Sequence, residues 1–392
     1  MKQLFFIFTA ASLIFLSCNG GKTDEQTQTQ PQKEMREYGG VFQMSNNDYL
    51  QSIYPPKTID IFSYSICSQV FEGLLKLSVR DMTLIPSLAE SWEADTNGTL
   101  YTFHLKKGVK FHDDACFPNG KGRELKATDV KFSFENLCKQ SPDNMLFDIT
   151  LKDKLLGATK YYQASAEGKT PSFDLEGVKI IDDYTVQLIL GTPNSSFLYV
   201  LAMPALSVIP QEGVEKYGSK LTLGTGPFKI PAGENISGEK FILVKNSEYH
   251  RTDSLGNKLP FLDTIEVSVY NSKKAELEAF RNDNLDLVIG LPSESIKEIV
   301  EEQITEFQSS PPVYFLDRCS EISTEYYSFN LTQKIFRDKK VRQALNYAID
   351  RNRIIEEILY GNDTAIASGE TYCLRLFRFS HGPYSWVGVR VW

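Results

Sequence analysis

The stretch Leu88–Phe134, LAESWEADTNGTLYTFHLKKGVKFHDDACFPNGKGRELKATDVKFSF, is the one on which the fold turns. An apolar–polar pattern around Trp92 ends at Thr96-Asn97-Gly98, a turn-forming triplet. Tyr101, Phe103 and Leu105 then alternate with Thr102, His104 and Lys106, the period of a strand with one face in a core. Lys107-Gly108 turns the chain, and Val109 and Phe111 continue the alternation, which predicts a hairpin partner for that strand. Thr128-Asp129 predicts the cap of a helix whose inward positions are Val130, Phe132 and Phe134.

The 392 residues are 42% hydrophobic, enough for two or three packed domains. Acidic residues outnumber basic ones, 50 to 42, so the net charge is −8. That balance leaves no basic footprint for nucleic acid and no polybasic membrane patch. Leu4 to Leu16 is apolar and follows Lys2; its thirteen residues are too few to span a bilayer and suit a signal-peptide core. The run closes on Phe15-Leu16-Ser17-Cys18, which resembles a bacterial lipobox, with Cys18 as the lipidated mature terminus. The other reading is an ordinary secretory signal with an unrelated cysteine. Residues 19–37 are polar and read as a tether between lipid and folded body.

Elsewhere the cysteines form no C-x-x-C pair, so the spacing points to no zinc site, and no cofactor is expected. Cys116 and Cys138 flank the predicted helix; they are either a disulfide or two free thiols. Gly39 to Met44 begins the folded body as a strand, with Ser45-Asn46-Asn47 at its carboxyl end, where α/β sheets place ligand contacts. A plain polar turn is the alternative there. Phe62 to Leu75 reads as a helix with Ile66, Val70 and Leu74 apolar, and Asp183–Leu190, Phe241–Val244 and Thr264–Val269 read as strands.

Taken together, these parts resemble the family 5 extracellular solute-binding proteins, the peptide and nickel receptors of ABC importers. The likeness is carried by the Leu88–Phe134 order, by Phe71-Glu72-Gly73-Leu74 ("E-G-L") and by Leu223-Gly224-Thr225-Gly226-Pro227-Phe228 ("G-T-G-P"). Lys245-Asn246-Ser247-Glu248-Tyr249 is similar to "R-N-P-x-Y-W", and Leu259-Pro260-Phe261-Leu262-Asp263 to "L-P-Y-L-D". Phe336 to Asp350 resembles "F-x-D-x-x-V-R-x-A-x-x-x-A-I-D-R"; Asp338 caps one helix there and Asp350 a second. Asp114 and the added loop Pro118–Gly122 depart from the family pattern.

The resemblance implies an α/β, periplasmic-binding-protein-like II fold: two lobes, an extra N-terminal subdomain, and an incomplete second lobe. The implied layout is lobe I over 38–66 and 172–265, an inserted subdomain over 67–171, and the first part of lobe II over 266–369. It also implies a non-enzymatic monomer that binds di- or oligopeptides between the lobes and hands them to an ABC permease and its ATPase. Such a receptor works in the periplasm or outside the cell, touching the membrane only through its lipid. Ser45, Asn46, Tyr64, Thr225, Gly226 and Asn330 are the expected ligand contacts, with no metal among them. Arg342 is either a partner for a ligand carboxylate or part of a structural ion pair.

Beyond Gly369 the pattern stops. Thr371 to Trp392 has no acidic residue, three arginines and two of the three tryptophans, which reads as a frameshift near Ser368 to Thr371 or, as the alternative, a genuine divergent end. On the family's layout roughly a hundred residues or more would follow, about a domain's worth, including the aspartate that holds a ligand's amino group. Two other ligand or activity classes stay open: nickel or another non-peptide solute, and an exported hydrolase. Against the hydrolase, the chain has no G-x-S-x-G or H-E-x-x-H and only four histidines, His104, His112, His250 and His381. His112-Asp113-Asp114 is the one local run with metal-ligand residue types.

Overall fold

The alternation read at Tyr101, Phe103 and Leu105 is a buried strand face: the three side chains are 6%, 0% and 2% exposed. The computed structural model describes residues 37–166, 169–291, 295, 308–309, 313–321, 327–358 and 371–378. Its strands are β1 (Val41–Asn46), β2 (Leu75–Leu77), β3 (Leu84–Pro86), β4 (Ala89–Ala94), β5 (Leu100–Leu105), β6 (Val178–Asp182), β7 (Thr185–Ile189), β8 (Phe228–Lys229), β9 (Lys240–Lys245), β10 (Thr264–Val269), β11 (Leu287–Ile289), β12 (Tyr314–Glu321) and β13 (Thr371–Arg378).

One mixed sheet has the order β1-β10-β9-β8, with β1 parallel to β10 and the other neighbours antiparallel. A second, antiparallel sheet has the order β4-β5-β7-β6. One continuous apolar core, running in sequence from Phe42 to Leu287, takes in residues of both sheets. Completely burying a phenylalanine such as Phe103 contributes about 1.5–3 kcal/mol, so this core is the main source of stability. A smaller cluster gathers Leu277, Phe280, Leu285, Val288 and Leu291.

The structure moves several expected boundaries. Val109 to Phe111 is not the hairpin partner of β5, whose neighbours are β4, through the Asp95–Thr99 turn, and β7. Instead Val109 and Phe111 bond across to Arg123–Leu125, with Phe111 N–H on Arg123 O at 3.0 Å and Leu125 N–H on Val109 O at 2.8 Å. The added loop makes this return possible. Gly122 comes so close that a Cβ there would lie 1.8 Å from Phe111 O, which only glycine avoids. Because β6 and β7 pair with β5, this sheet joins residues 89–105 to residues 178–189.

Helix Ala127–Leu137 is capped at Lys126, not at Thr128, and Asp129 acts from its third position by accepting the Lys126 N–H at 2.9 Å. Val130 and Phe134 are buried, but Phe132 is only half-buried. Positions four apart share a helix face, while a residue two away points elsewhere. Arg123 clamps this helix with bidentate bonds to Asp129 (2.8 and 2.7 Å) and to Glu212 (2.7 and 2.8 Å). Cys138 and Cys67 are buried and Cys116 half-buried, all three as free thiols.

Thr371–Arg378, where the sequence pattern breaks, supplies the middle strand of a third sheet, β11-β13-β12. Among the described residues no helix is long and apolar enough to cross a membrane.

Candidate functional site

Helix Ile61–Val70 starts at Asp60, whose carboxylate accepts the Ser63 N–H at 2.8 Å, a cap worth about 1 kcal/mol. Ile66, Cys67 and Val70 face the core. The opposite stripe is open: Ile61 is 78% exposed and Tyr64 39%, with Ser68 one turn on. Burial of its ring side pushes the Tyr64 phenol up, so it remains a neutral hydrogen-bond donor and acceptor. The helix stops at Phe71, which is extended, earlier than the apolar pattern through Leu74 implies. Leu74 is buried beyond the helix end.

What fixes that helix is a turn with two glycines. Gly226 N–H donates to Val70 O at 2.9 Å. A Cβ on Gly226 would lie 2.4 Å from Gln69 O, and one on Gly224 2.2 Å from Val70 O, so both positions admit only glycine. Behind them His112 is buried, with its backbone N–H on Gly224 O at 2.8 Å. Its Nε2 lies 2.9 Å from Gly226 O, and the Gly224 N–H points at its Nδ1 at 3.4 Å. A carbonyl only accepts and an amide N–H only donates, so the ring is the neutral Nε2–H tautomer. Burial drives its pKa down to about 4. Asn246 Nδ2 adds a second bond to Gly226 O at 2.9 Å.

A second buried group locks the same turn to the segment after the helix. Glu72 accepts Thr225 Oγ1 (3.0 Å), Tyr249 Oη (3.0 Å) and His250 Nε2 (2.9 Å). Burial alone would raise its pKa, but the His250 bond and charge, the Arg251 charge and the Thr225 bond together hold it below the usual carboxylate range. Burial and the Glu72 charge push the Tyr249 phenol well up, so it stays a donor.

Across the mixed sheet, β1 is tied to the segment that follows β10. Ser45 Oγ donates to Glu276, which Lys273 also holds at 2.7 Å. Gln43 and Asp286 exchange bonds, Gln43 N–H to the carboxylate at 2.7 Å and Asp286 N–H to Gln43 O at 2.8 Å. Burial raises the Asp286 pKa, against the pull of the Gln43 N–H.

The expected contacts therefore fall into two groups. Asn46 and Tyr64 reach solvent, whereas the Ser45 and Thr225 hydroxyls are buried and spent on Glu276 and Glu72, and Gly226 presses on the helix end. Asn330 is exposed and caps its own turn by accepting from Thr332 N–H at 3.0 Å. Arg342 makes no ion pair among the described residues; it donates to the carbonyls of Phe336 (2.5 Å) and Arg337 (3.1 Å). His112, Asp113 and Asp114 do not converge: Asp113 binds Lys121 and Gly122, and Asp114 binds Cys116 N–H and Tyr217. Sequence reading missed the Glu72–His250 pair. Its signal was a histidine at 250, where the resembling motif carries tryptophan.

Two open depressions lie apart from these residues. One of about 750 Å³ is lined by Tyr54, Asn136, Lys139, Asp143 and Tyr162 among others, and one of about 640 Å³ by Glu90, His104, Lys107, Asp182 and Tyr184 among others.

The pattern for bacterial extracellular solute-binding proteins, family 5 middle region, matches residues 83–371. The chain is 27% identical over 372 residues to heme-binding protein A of Haemophilus influenzae, covering 91% of this chain and 61% of that protein. It is 29% identical over 300 residues to the dipeptide-binding protein of Escherichia coli, covering 74% of this chain and 50% of that one. The chain thus spans about half to three-fifths of the length of these curated relatives. Among solved structures, the Helicobacter pylori periplasmic binding protein DppA in complex with peptide STSA superposes with a TM-score of 0.66 at 25% identity. That match covers 83% of this chain and 59% of the other. The Escherichia coli murein tripeptide-binding protein MppA, at 20% identity and a TM-score of 0.67, shares the fold. These relatives are named for what they bind and none for a reaction.

Proposed function

The chain belongs to family 5 of the bacterial extracellular solute-binding proteins, and from that premise we propose that it captures di- or oligopeptides. The receiving wall is the carboxyl end of β1 with the open stripe of helix Ile61–Val70, Asn46 and Tyr64 facing the ligand. Ser45, Thr225 and Gly226 serve it through the backbone they hold, and Asn330 lies on a second, facing part. The ligand passes to an ABC permease and its ATPase, by a monomeric receptor held in the cell envelope through a lipid on Cys18. The observation that carries the reading is the open Ile61–Tyr64 stripe in the first turn of a helix that Asp60 caps there and that Gly226 holds at its other end, at Val70. A pocket that accepts many side chains needs such an apolar, pre-organised wall.

The relatives also include proteins named for heme and for glutathione, so a non-peptide solute is the second reading. Calorimetric titration of the full chain with di- and tripeptides, glutathione, heme and nickel separates them. Peptide binding that Tyr64→Ala weakens is the expected result. Saturable binding of heme, glutathione or nickel alone would replace the peptide reading.

A further inference from the structure

Three of the chain's six cysteines, Cys67, Cys116 and Cys138, are free thiols, and Cys18 is the one proposed to carry lipid. The remaining two, Cys319 and Cys373, stand directly opposite each other in the register of β12 and β13. Opposite residues of antiparallel strands have Cα atoms about 4.5 or about 5.5 Å apart, and both spacings fall within the roughly 4.4–6.8 Å that a disulfide spans. The register around the pair is specific. Phe315 is opposite Phe377 and Asp317 opposite Arg375, on the same strand faces as the cysteines, since positions two apart share a face. Aromatic and opposite-charge cross-strand pairs favour this alignment, and a slip of one residue would separate all three pairs. Tyr314 and Leu316, of the other parity, pack on the cluster of Leu277, Phe280 and Val288. The cysteines belong to the face turned from that cluster, where Phe315 is 47% exposed.

We propose that Cys319 and Cys373 form a disulfide that fastens β13 to β12. Family 5 receptors are extracellular, where disulfides persist. The oxidant is a small-molecule or protein disulfide. One cysteine thiolate attacks a sulfur of that oxidant, breaks its S–S bond and releases one thiolate. The other cysteine thiolate then attacks the mixed disulfide, forms the Cys319–Cys373 bond and releases the second thiolate. Two thiols lose two protons and two electrons, and the oxidant becomes two thiols. Burial pushes the pKa of Cys67, Cys116 and Cys138 up, so at neutral pH those three stay protonated and outside the exchange. The bond closes the chain from 320 to 372 into a loop that includes helix Lys339–Ala348, which buries no residue. A covalent tie there takes the place that core packing holds elsewhere. The disulfide does not depend on which solute the chain carries.

Peptide mapping of the full chain tests it. The chain is purified without reductant, incubated with glutathione disulfide at pH 7.5, then denatured, alkylated with iodoacetamide and digested. The expected result is one linked peptide pair containing Cys319 and Cys373, which separates on reduction, with Cys67, Cys116 and Cys138 carrying the alkyl label. Alkylation of both Cys319 and Cys373 before reduction overturns the disulfide, as does a link from either to another cysteine or to a second copy of the chain. The fastening role is read by hydrogen exchange at 371–378, expected at least about tenfold faster after reduction of the folded chain. Cys373→Ser should show the fast exchange from the start, with no further effect of reductant. Exchange at 371–378 that reduction leaves unchanged overturns that role. The mapping needs no substitution, so it gives its answer whether or not the variant folds.

Discussion

Residues 41–291 and residues 327–358 both carry motifs of the same family, yet they meet opposite fates. In the first region every motif ends in a buried contact: Phe103 is 0% exposed, Gly226 abuts Val70, and Glu72 is enclosed by three donors. In the second, helix Lys339–Ala348 forms with its Asp338 cap in place, the carboxylate accepting Lys340 N–H at 2.8 Å, but buries no residue. Leu345 is 40% exposed, Tyr347 83% and Tyr327 80%. The same kind of sequence signal thus produces local structure in both regions and tertiary stability in only one. Caps and periodicity are worth a few tenths to about 1 kcal/mol, whereas burial decides whether an element holds its place.

The contrast can be broken by mutation. Phe103→Ala is expected to cost about 3–5 kcal/mol, read as a fall in the urea midpoint. Leu345→Ala in the exposed helix is expected to stay within about 0.5 kcal/mol. Equal effects at the two positions would remove the distinction.

Acid sharpens it. His112 has a folded pKa of about 4, below the ordinary value near 6.5, so the unfolded chain takes up the proton first. Its contribution is complete above pH ~6.5 and is lost on acidification towards pH ~4, about 3 kcal/mol in all. Glu72, whose pKa is depressed, adds stability above the ordinary carboxylate range that disappears at still lower pH. Unfolding of wild type and His112→Gln at pH 7 and pH 4.5 checks this: only wild type should lose the histidine contribution. The helix at 339–348 has no such buried group, and its local order should be unchanged over that interval.

How much of this was legible beforehand follows from range. The β5 alternation, the Asp338 cap and β10 were readable because neighbours in sequence determine them. The partners of β5 were not: β7 lies some eighty residues away, and a period of two says which face is buried but not against which strand. The Glu72–Thr225–Tyr249–His250 group was hidden for the same reason, since its members come from three distant segments. The glycines of the 224–226 turn were readable as a turn, but their closeness to Val70 needed the fold. Thr371–Arg378 reads as a break in the pattern and yet pairs on both edges, because backbone pairing asks less of side chains than core packing does.

The central claim is that solute is received on the rigid wall at β1 and helix Ile61–Val70, not on the exposed helix at 339–348. Hydrogen exchange read by mass spectrometry, with and without a saturating peptide, tests it most directly. The account predicts slowed exchange at residues 45–49 and 59–68, while 339–348 exchanges freely in both states. Slowing confined to 339–348, with the wall unchanged, would contradict it.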